Sequence, residues 1–288
     1  MAIAQLISMG IMQGGVYALA ASGLTLIFSV MKFLNLAHGD LITVGMFGAL
    51  LLWGAVRLNP FISILPAAVL LFVIGIVLYK TVINKAENAP VENQLLITLG
   101  LILVIESLLR IVFGSDYRSL KGFESIGFRI AGIQLVSSWV ISFIVAVGCV
   151  LSLYFVIRRS DWGRAVRACS QDPEGALMRG INLSRIRMTS FALGVAFAGI
   201  AGACFAALRP IYPTAGFDYS VIAIIIVVLG GMGSIVGSLV GGIIIGIIDV
   251  FTAYFIGSQV HLVGPFLVFI LVLAFKPEGL FGRRGRIA

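Results

Sequence analysis

Runs of about 18–25 apolar residues follow one another along almost the whole chain, each long enough to cross the ~30 Å hydrocarbon core of a bilayer. They fall near 5–30, 41–57, 61–83, 94–113, 137–157, 188–208, 219–256 and 262–276. A soluble fold would need a polar face on nearly every helix. Here 60% of the 288 residues are hydrophobic and 11% charged, whereas soluble domains carry about a quarter charged residues. The other spanning architecture, a β-barrel, alternates apolar with polar over ~10-residue stretches. Val221 to Leu229 is apolar throughout. The expected fold is therefore all-α, a polytopic transmembrane bundle of about eight spans (seven to nine) forming a single transmembrane domain over 1–288. The 219–256 run is too long for one span and is interrupted at Gly230-Gly231-Met232-Gly233-Ser234. It reads as two spans, or as a re-entrant piece followed by one.

The net charge of +8 is dispersed through short loops rather than gathered into a basic domain, so it speaks for membrane orientation and not for a nucleic-acid partner. The loop at 158–187 carries Arg158, Arg159, Arg164, Arg167, Arg179, Arg185 and Arg187 against Asp161, Asp172 and Glu174. The tail after Lys276 adds Arg283, Arg284 and Arg286. Both are expected in the cytoplasm, because Lys and Arg are retained on that side. The 114–136 loop, with Asp116, Arg118, Lys121, Glu124 and Arg129, then lies on the far face, where its mixed charge suits docking of another protein. No Lys or Arg precedes Lys32, and the first apolar run continues past Ala18-Leu19-Ala20, so an uncleaved first membrane segment is expected. Cys149, Cys169 and Cys204 show neither disulfide pairing nor ligand spacing, and no metal site is expected.

Two spacings of small residues stand out: Gly233, Gly237 and Gly241, and Gly194, Ala198, Gly202 and Ala206. In lipid, helices gain packing by close backbone approach along such ridges, which are read here as architecture. The intramembrane charges are few. Glu106 and Arg110, four apart with the acid first, are suited to neutralise one another. Asp249 has no partner one turn away and faces a bundle interior or a pore, with a partner from another helix or a second subunit equally open.

Catalytic sets are missing from the pattern. His38 and His261 have no metal-ligand spacing, and Ser234 beside its glycines has no companion for a protease dyad. There is no Gly-x-x-x-x-Gly-Lys-Ser/Thr phosphate loop. The chain is not expected to be an enzyme, and if ATP drives it, ATP and Mg are bound by another polypeptide.

The most informative stretch lies in the 158–187 loop. Asp172 before Pro173 makes a helix N-cap with proline at the first helical position, Glu174 complements the dipole, and Arg179-Gly180 supplies a terminal charge and a C-cap. With Ala176, Leu177 and Met178 as an apolar patch, this short helix is suited to a groove in a soluble partner; a solvated loop helix is the plainer alternative. A second feature is Asn35-Leu36-Ala37-His38-Gly39-Asp40, a polar break between apolar runs. Non-helical backbone at membrane depth is tolerated only inside protein or beside a water-filled cavity. This break and Gly230, Gly231, Gly233 and Ser234 are expected to face one another and, with Asp249, to shape a translocation path. Two ordinary cytoplasmic turns are the alternative.

Glu174-Gly175-Ala176-x-x-x-Gly180 resembles the Glu-Ala-Ala-x-x-x-Gly loop of ABC importer permeases, with Gly175 in place of the first alanine and no Ile-x-Leu-Pro after it. Gly163-Arg164-Ala165-Val166-Arg167-Ala168, Gly180-Ile181-Asn182, Arg185-Ile186, the Asn35–Asp40 break and Gly230–Ser234 are similar, in order, to the branched-chain amino acid permeases. The resemblance covers essentially the whole chain. It implies a bacterial inner-membrane permease subunit working by alternating access on branched-chain or related amino acids. It also implies two cytoplasmic ABC ATPases, a second homologous permease, a periplasmic binding protein and surrounding lipid as partners. Arg164, Arg167, Asp172, Glu174, Ala176, Leu177 and Gly180 become ATPase-coupling residues. The alternatives left open are a permease for urea or short amides, and a self-contained channel or ion-coupled transporter, which needs intramembrane carboxylates that only Glu106 and Asp249 offer.

Overall fold

The computed structural model describes residues 2–56, 59–87, 89–120, 126–130 and 132–282. Lys121, Glu124 and the tail arginines Arg283, Arg284 and Arg286 lie outside them. The helices are α1 (Ala2–Met31), α2 (His38–Val56), α3 (Ile64–Leu78), α4 (Asn84–Ala86), α5 (Val91–Phe113), α6 (Ser137–Arg159), α7 (Asp161–Gln171), α8 (Pro173–Met178), α9 (Leu183–Ala206), α10 (Gly216–Gly230), α11 (Ile235–Phe255) and α12 (Val263–Phe275). A π turn over Tyr79–Ile83 joins α3 to α4 as one span, and among the described residues eight helices are long and apolar enough to cross a membrane. The shorter α10 is the first part of the apolar run that sequence marked as too long for one span. Gly231 and Gly233, both at φ +94°, split that run into α10 and α11. Only glycine adopts such a conformation without strain. Sequence reasoning passed over a two-stranded antiparallel hairpin, β1 (Gly127–Ile130) and β2 (Ile133–Val136), which stands in the 114–136 loop.

The helices α1 and α9 form the centre, and α5 and α12 lie outermost with little of their surface covered. Helix α1 runs antiparallel to α11 along a seam of small residues: a side chain on Gly14 would meet the backbone of Gly242 and Ile243, and one on Gly242 would meet Ala18. Gly194 abuts the backbone of Gly23, and Gly202 that of Ile42 and Gly45, so the 194–206 ridge packs α9 against α1 and α2. Gly237 packs on Gly230. These contacts are backbone on backbone, where dispersion and not hydrophobic burial holds membrane helices together. The α1–α11 seam itself, Gly10, Gly14, Gly242 and Gly246, sits one register away from the ridge read from sequence.

Lys32 at the end of α1, Arg158 at the end of α6, Arg167 of α7, Gly233 before α11 and Phe281 border one cavity. The basic segments therefore share one end of the bundle, as cytoplasmic retention of Lys and Arg requires. The hairpin, tied to the start of α1 by Gln5 and Gln134, marks the opposite end.

Candidate functional site

Three polar constellations interrupt the apolar bundle. The first is built on Asp249, buried on α11 toward the outer end. Its Oδ2 accepts from the Tyr17 hydroxyl (2.9 Å) and from Gln13 Nε2, both on α1 one turn apart. Its Oδ1 accepts from His261 Nδ1 at 2.6 Å, and the Arg209 guanidinium lies 3.7 Å from Oδ2. Arg209 also sits over the Tyr17 ring, 5.9 Å from its centroid. One carboxylate thus ties together α1, the end of α9, α11 and the approach to α12. Asp249 does find its partners on other elements of its own subunit. Sequence reasoning missed Gln13, Tyr17 and Arg209; the signals were a Gln and a Tyr four apart in a basic-free first helix, and an arginine ending an apolar run.

The second constellation is the Asn35–Asp40 break. The His38 Nε2–H donates to the Ala20 carbonyl at 3.0 Å, and Ala20 lies eleven residues before the end of α1, about 16 Å along the helix. The chain therefore climbs back from the cytoplasmic end before α2 begins, and the break is an intramembrane one. Asn35, His38, Gly39 and Asp40 are all buried. The Gly39 N–H donates to Ser220 Oγ (2.8 Å), and that hydroxyl donates to the Leu36 carbonyl (2.6 Å), so the break is clamped to the first turns of α10. Any side chain on Gly39 would strike the Gly216 carbonyl. Asn35 Nδ2, His38 Nδ1 and both Asp40 carboxylate oxygens have no hydrogen-bond partner among the described residues. The second break behaves differently. Gly230–Ser234 lies at the far end of α10, about 21 Å from Gly216, and Gly233 and Ser234 border the cytoplasmic cavity. Ser234 caps α11 by accepting from the Gly237 N–H at 3.0 Å. The two breaks do not face one another, contrary to the sequence expectation: the helix between them separates them, and the second is a cytoplasmic turn.

The third is the module of α7 and α8 at the cytoplasmic end. Ser160 caps α7 through the Gly163 N–H (2.9 Å), and Gly163 permits a tight corner against Ile157 at the end of α6. Val166 and Cys169 turn inward, and burial pushes the Cys169 thiol above its ordinary range. Asp172 caps α8 through the Gly175 N–H at 2.9 Å. A side chain at residue 175 would crowd that carboxylate, so glycine leaves the cap room. At the other end the Ile181 N–H donates to the Ala176 carbonyl (3.1 Å) and the Gly180 N–H to Leu177 (2.9 Å), with Gly180 at φ +79°. This is the Schellman closure. Ala176 faces the body, while Glu174, Leu177 and Met178 face outward, Met178 91% exposed. Arg164 pairs with Asp161 on the open surface. Arg167 instead turns toward the cavity and donates to the Ile157 carbonyl.

One brace fastens α7 to α9, and a second fastens the start of α9 to the segment after α4. Trp162 Nε1 donates to Thr189 Oγ1 at 3.0 Å, and Arg187 of α9 pairs with Glu87 at 2.9 Å. Glu87 also accepts from Tyr79 of the π turn (3.2 Å), and its backbone carbonyl accepts from Gln94 of α5 (3.3 Å). Glu106 and Arg110 pair on α5 at 3.1 Å, as their spacing implied. Among the described residues no cluster of His, Cys, Asp and Glu is suited to a metal ion.

A family model described as branched-chain amino acid transport system, permease component, matches residues 6–275. The high-affinity branched-chain amino acid transport system permease protein LivH of Escherichia coli is 29% identical over 95% of this chain and 94% of its own length. LivM of Salmonella typhimurium, another permease protein of such a system, is 40% identical over 30% of this chain and 21% of its own length. In fold, the chain is similar to PsaBC from Streptococcus pneumoniae, solved in complex with Fab, with a TM-score of 0.54, 12% identity, and coverage of 96% of this chain and 94% of that one.

Proposed function

The chain belongs to the branched-chain amino acid transport system permease family, and from that premise we propose that it is one of two permease subunits of an ATP-driven importer of branched-chain amino acids in the cytoplasmic membrane. It is a multi-pass membrane protein and a transport subunit rather than a catalyst. ATP and Mg are bound by two cytoplasmic ABC ATPases, a second homologous permease completes the pore, and a secreted binding protein delivers substrate to the hairpin face. The family match over residues 6–275 carries this reading. The exposed α8 supports it, since Leu177 and Met178 offer an apolar knob on a helix closed at both ends.

The mechanism follows from α9. It begins two residues beyond the Schellman turn of α8, is braced to Glu87 by Arg187, packs through small residues on α1, α2 and α3, and ends beside Arg209 at the Asp249 constellation. A displacement of α8 by the ATPases is transmitted along this rod to the outer end, tilting the bundle between outward-open and inward-open states. The polar break with its unpartnered Asn35, His38 and Asp40 atoms supplies hydrogen-bonding groups to the path as the bundle opens. An ion-coupled carrier is the weaker reading, because the family match is to a transport-system permease and two of the candidate carboxylates are engaged, Asp249 by four partners and Glu106 by Arg110, which leaves the buried Asp40 as the carboxylate such a carrier would have to use.

Reconstitution tests the proposal. The purified chain alone is expected to hydrolyse no ATP and to move no substrate. Vesicles holding it with the second permease and the ATPases are expected to take up leucine, isoleucine or valine only with ATP and the binding protein. Uptake by the chain alone, driven by a proton or sodium gradient, contradicts it.

A further inference from the structure

The cytoplasmic cavity between the ends of α1 and α6, α7 and the start of α11 has a volume of about 1030 Å3. Its chemistry is one-sided. Lys32, Arg158 and Arg167 border it, and none of the lining residues is acidic. Lys32 Nζ lies 5.7 Å from the Phe28 ring centroid, Arg158 Nη1 donates to the Tyr154 hydroxyl at 2.6 Å, and Arg167 donates to the Ile157 carbonyl. Lys32 also has φ +53°, the one positive-φ residue other than glycine among the described residues. A long side chain in that conformation costs energy that glycine or asparagine would avoid. Ser234, the cap of α11, lines the same space, as do the C-terminal ends of α6 and α7, so the helix dipoles there oppose one another and the positive charge of the cavity is that of its three side chains.

The remaining wall is apolar and open: Met232, Val236 and Phe281 line the cavity and are each more than 40% exposed. Cations beside an exposed apolar wall, at the level where membrane helices end, match a molecule with an anionic head and a hydrocarbon tail. A soluble anion has no use for the apolar wall. Basic pockets between transmembrane helices on the cytoplasmic side are suited to acidic lipid headgroups, each Lys or Arg contributing about five-fold in affinity.

We propose that this cavity is a binding site for an acidic phospholipid of the cytoplasmic leaflet, its phosphodiester held by Lys32, Arg158 and Arg167 and its acyl chains laid against Met232, Val236 and Phe281. The lipid supplies a counter-charge to these three cations. The site stands whether or not the transport reading does.

The test uses the full-length chain in phosphatidylcholine nanodiscs doped with phosphatidylglycerol, with retained lipid counted by native mass spectrometry. Wild type is expected to retain phosphatidylglycerol over phosphatidylcholine. Lys32→Asn with Arg158→Gln, which removes two cations without adding backbone strain, is expected to lower that preference roughly 30-fold. Lys32→Arg with Arg158→Lys is expected to preserve it, which separates loss of charge from loss of fold. Equal retention of the two lipids, or an unchanged preference in the Asn/Gln variant, overturns the proposal. So does displacement of the lipid by an equal concentration of inorganic phosphate, which makes the cavity a site for a free anion.

Discussion

Replacing Asp249 by asparagine keeps the shape of the side chain and removes the charge that four neighbours share. The Tyr17 and Gln13 bonds to a charged oxygen are each of the kind that contributes about 1.5–3 kcal/mol, and the amide oxygen of the substituted side chain would still accept one of them. The larger loss is at Arg209, whose guanidinium keeps its desolvation but loses the carboxylate 3.7 Å away. Removing one partner of a fully buried pair costs about 3–5 kcal/mol. With the Arg209 side chain 29% exposed, the lower end of that range applies, about 3 kcal/mol. At ~2–4 °C per kcal/mol, thermal unfolding of the purified chain should fall by about 6–12 °C. Asp249→Asn combined with Arg209→Gln should lose less than the two single variants summed, with a coupling of about 1–3 kcal/mol. A shift below about 2 °C, or losses that simply add, refutes the idea that this carboxylate clamps the outer ends of α1, α9 and α11.

Gly242→Leu places its first carbon 2.6 Å from the Ala18 side chain and should sharply reduce folded yield, whereas Gly48→Leu, with open space around it, should not; equal yields in a detergent-solubility assay contradict the seam. Arg187→Met leaves the buried Glu87 carboxylate without its cation and should cost about 3 kcal/mol by thermal unfolding, largely recovered by adding Glu87→Gln. For topology, a cysteine introduced at the exposed Ser184 should react with an impermeant reagent from the cytoplasm and one at Ser119 from outside, and the reverse pattern would invert the orientation.

Much of the fold was legible because lipid imposes a simple rule: spans are long apolar runs, and their number and the glycine interruption at 230–234 follow from counting. The caps of α8 were legible for a local reason, since Asp172, Pro173 and Gly180 act through bonds to residues within a few positions. What sequence did not reveal depends on distance along the chain. Gln13 and Asp249 are separated by 236 residues, and nothing in either neighbourhood names the other. The return of the chain at residues 32–37 was legible only as a break. Its depth depends on where α1 ends relative to Ala20, which is a property of the packed bundle. The same holds for Arg167, which reads as one more loop arginine and in fact turns into the cavity because α7 bends back under α6 at Gly163.

The central claim is that α8 is the part of this chain that the ATPases move, and Gly180 tests it most directly. Its φ of +79° closes the Schellman turn from which α9 departs. Valine there carries a penalty of about 1–2 kcal/mol or more, whereas asparagine tolerates the conformation. Nothing lies within 4 Å of the added carbon, so neither substitution disturbs the bundle by collision. The measurement is ATP-dependent leucine uptake in cells carrying Gly180→Val or Gly180→Asn, scored beside membrane insertion and co-purification of the ATPases. The account predicts normal insertion for both, retained uptake for Asn, and weakened ATPase association with lost uptake for Val. Full transport and full ATPase association in Gly180→Val would contradict it.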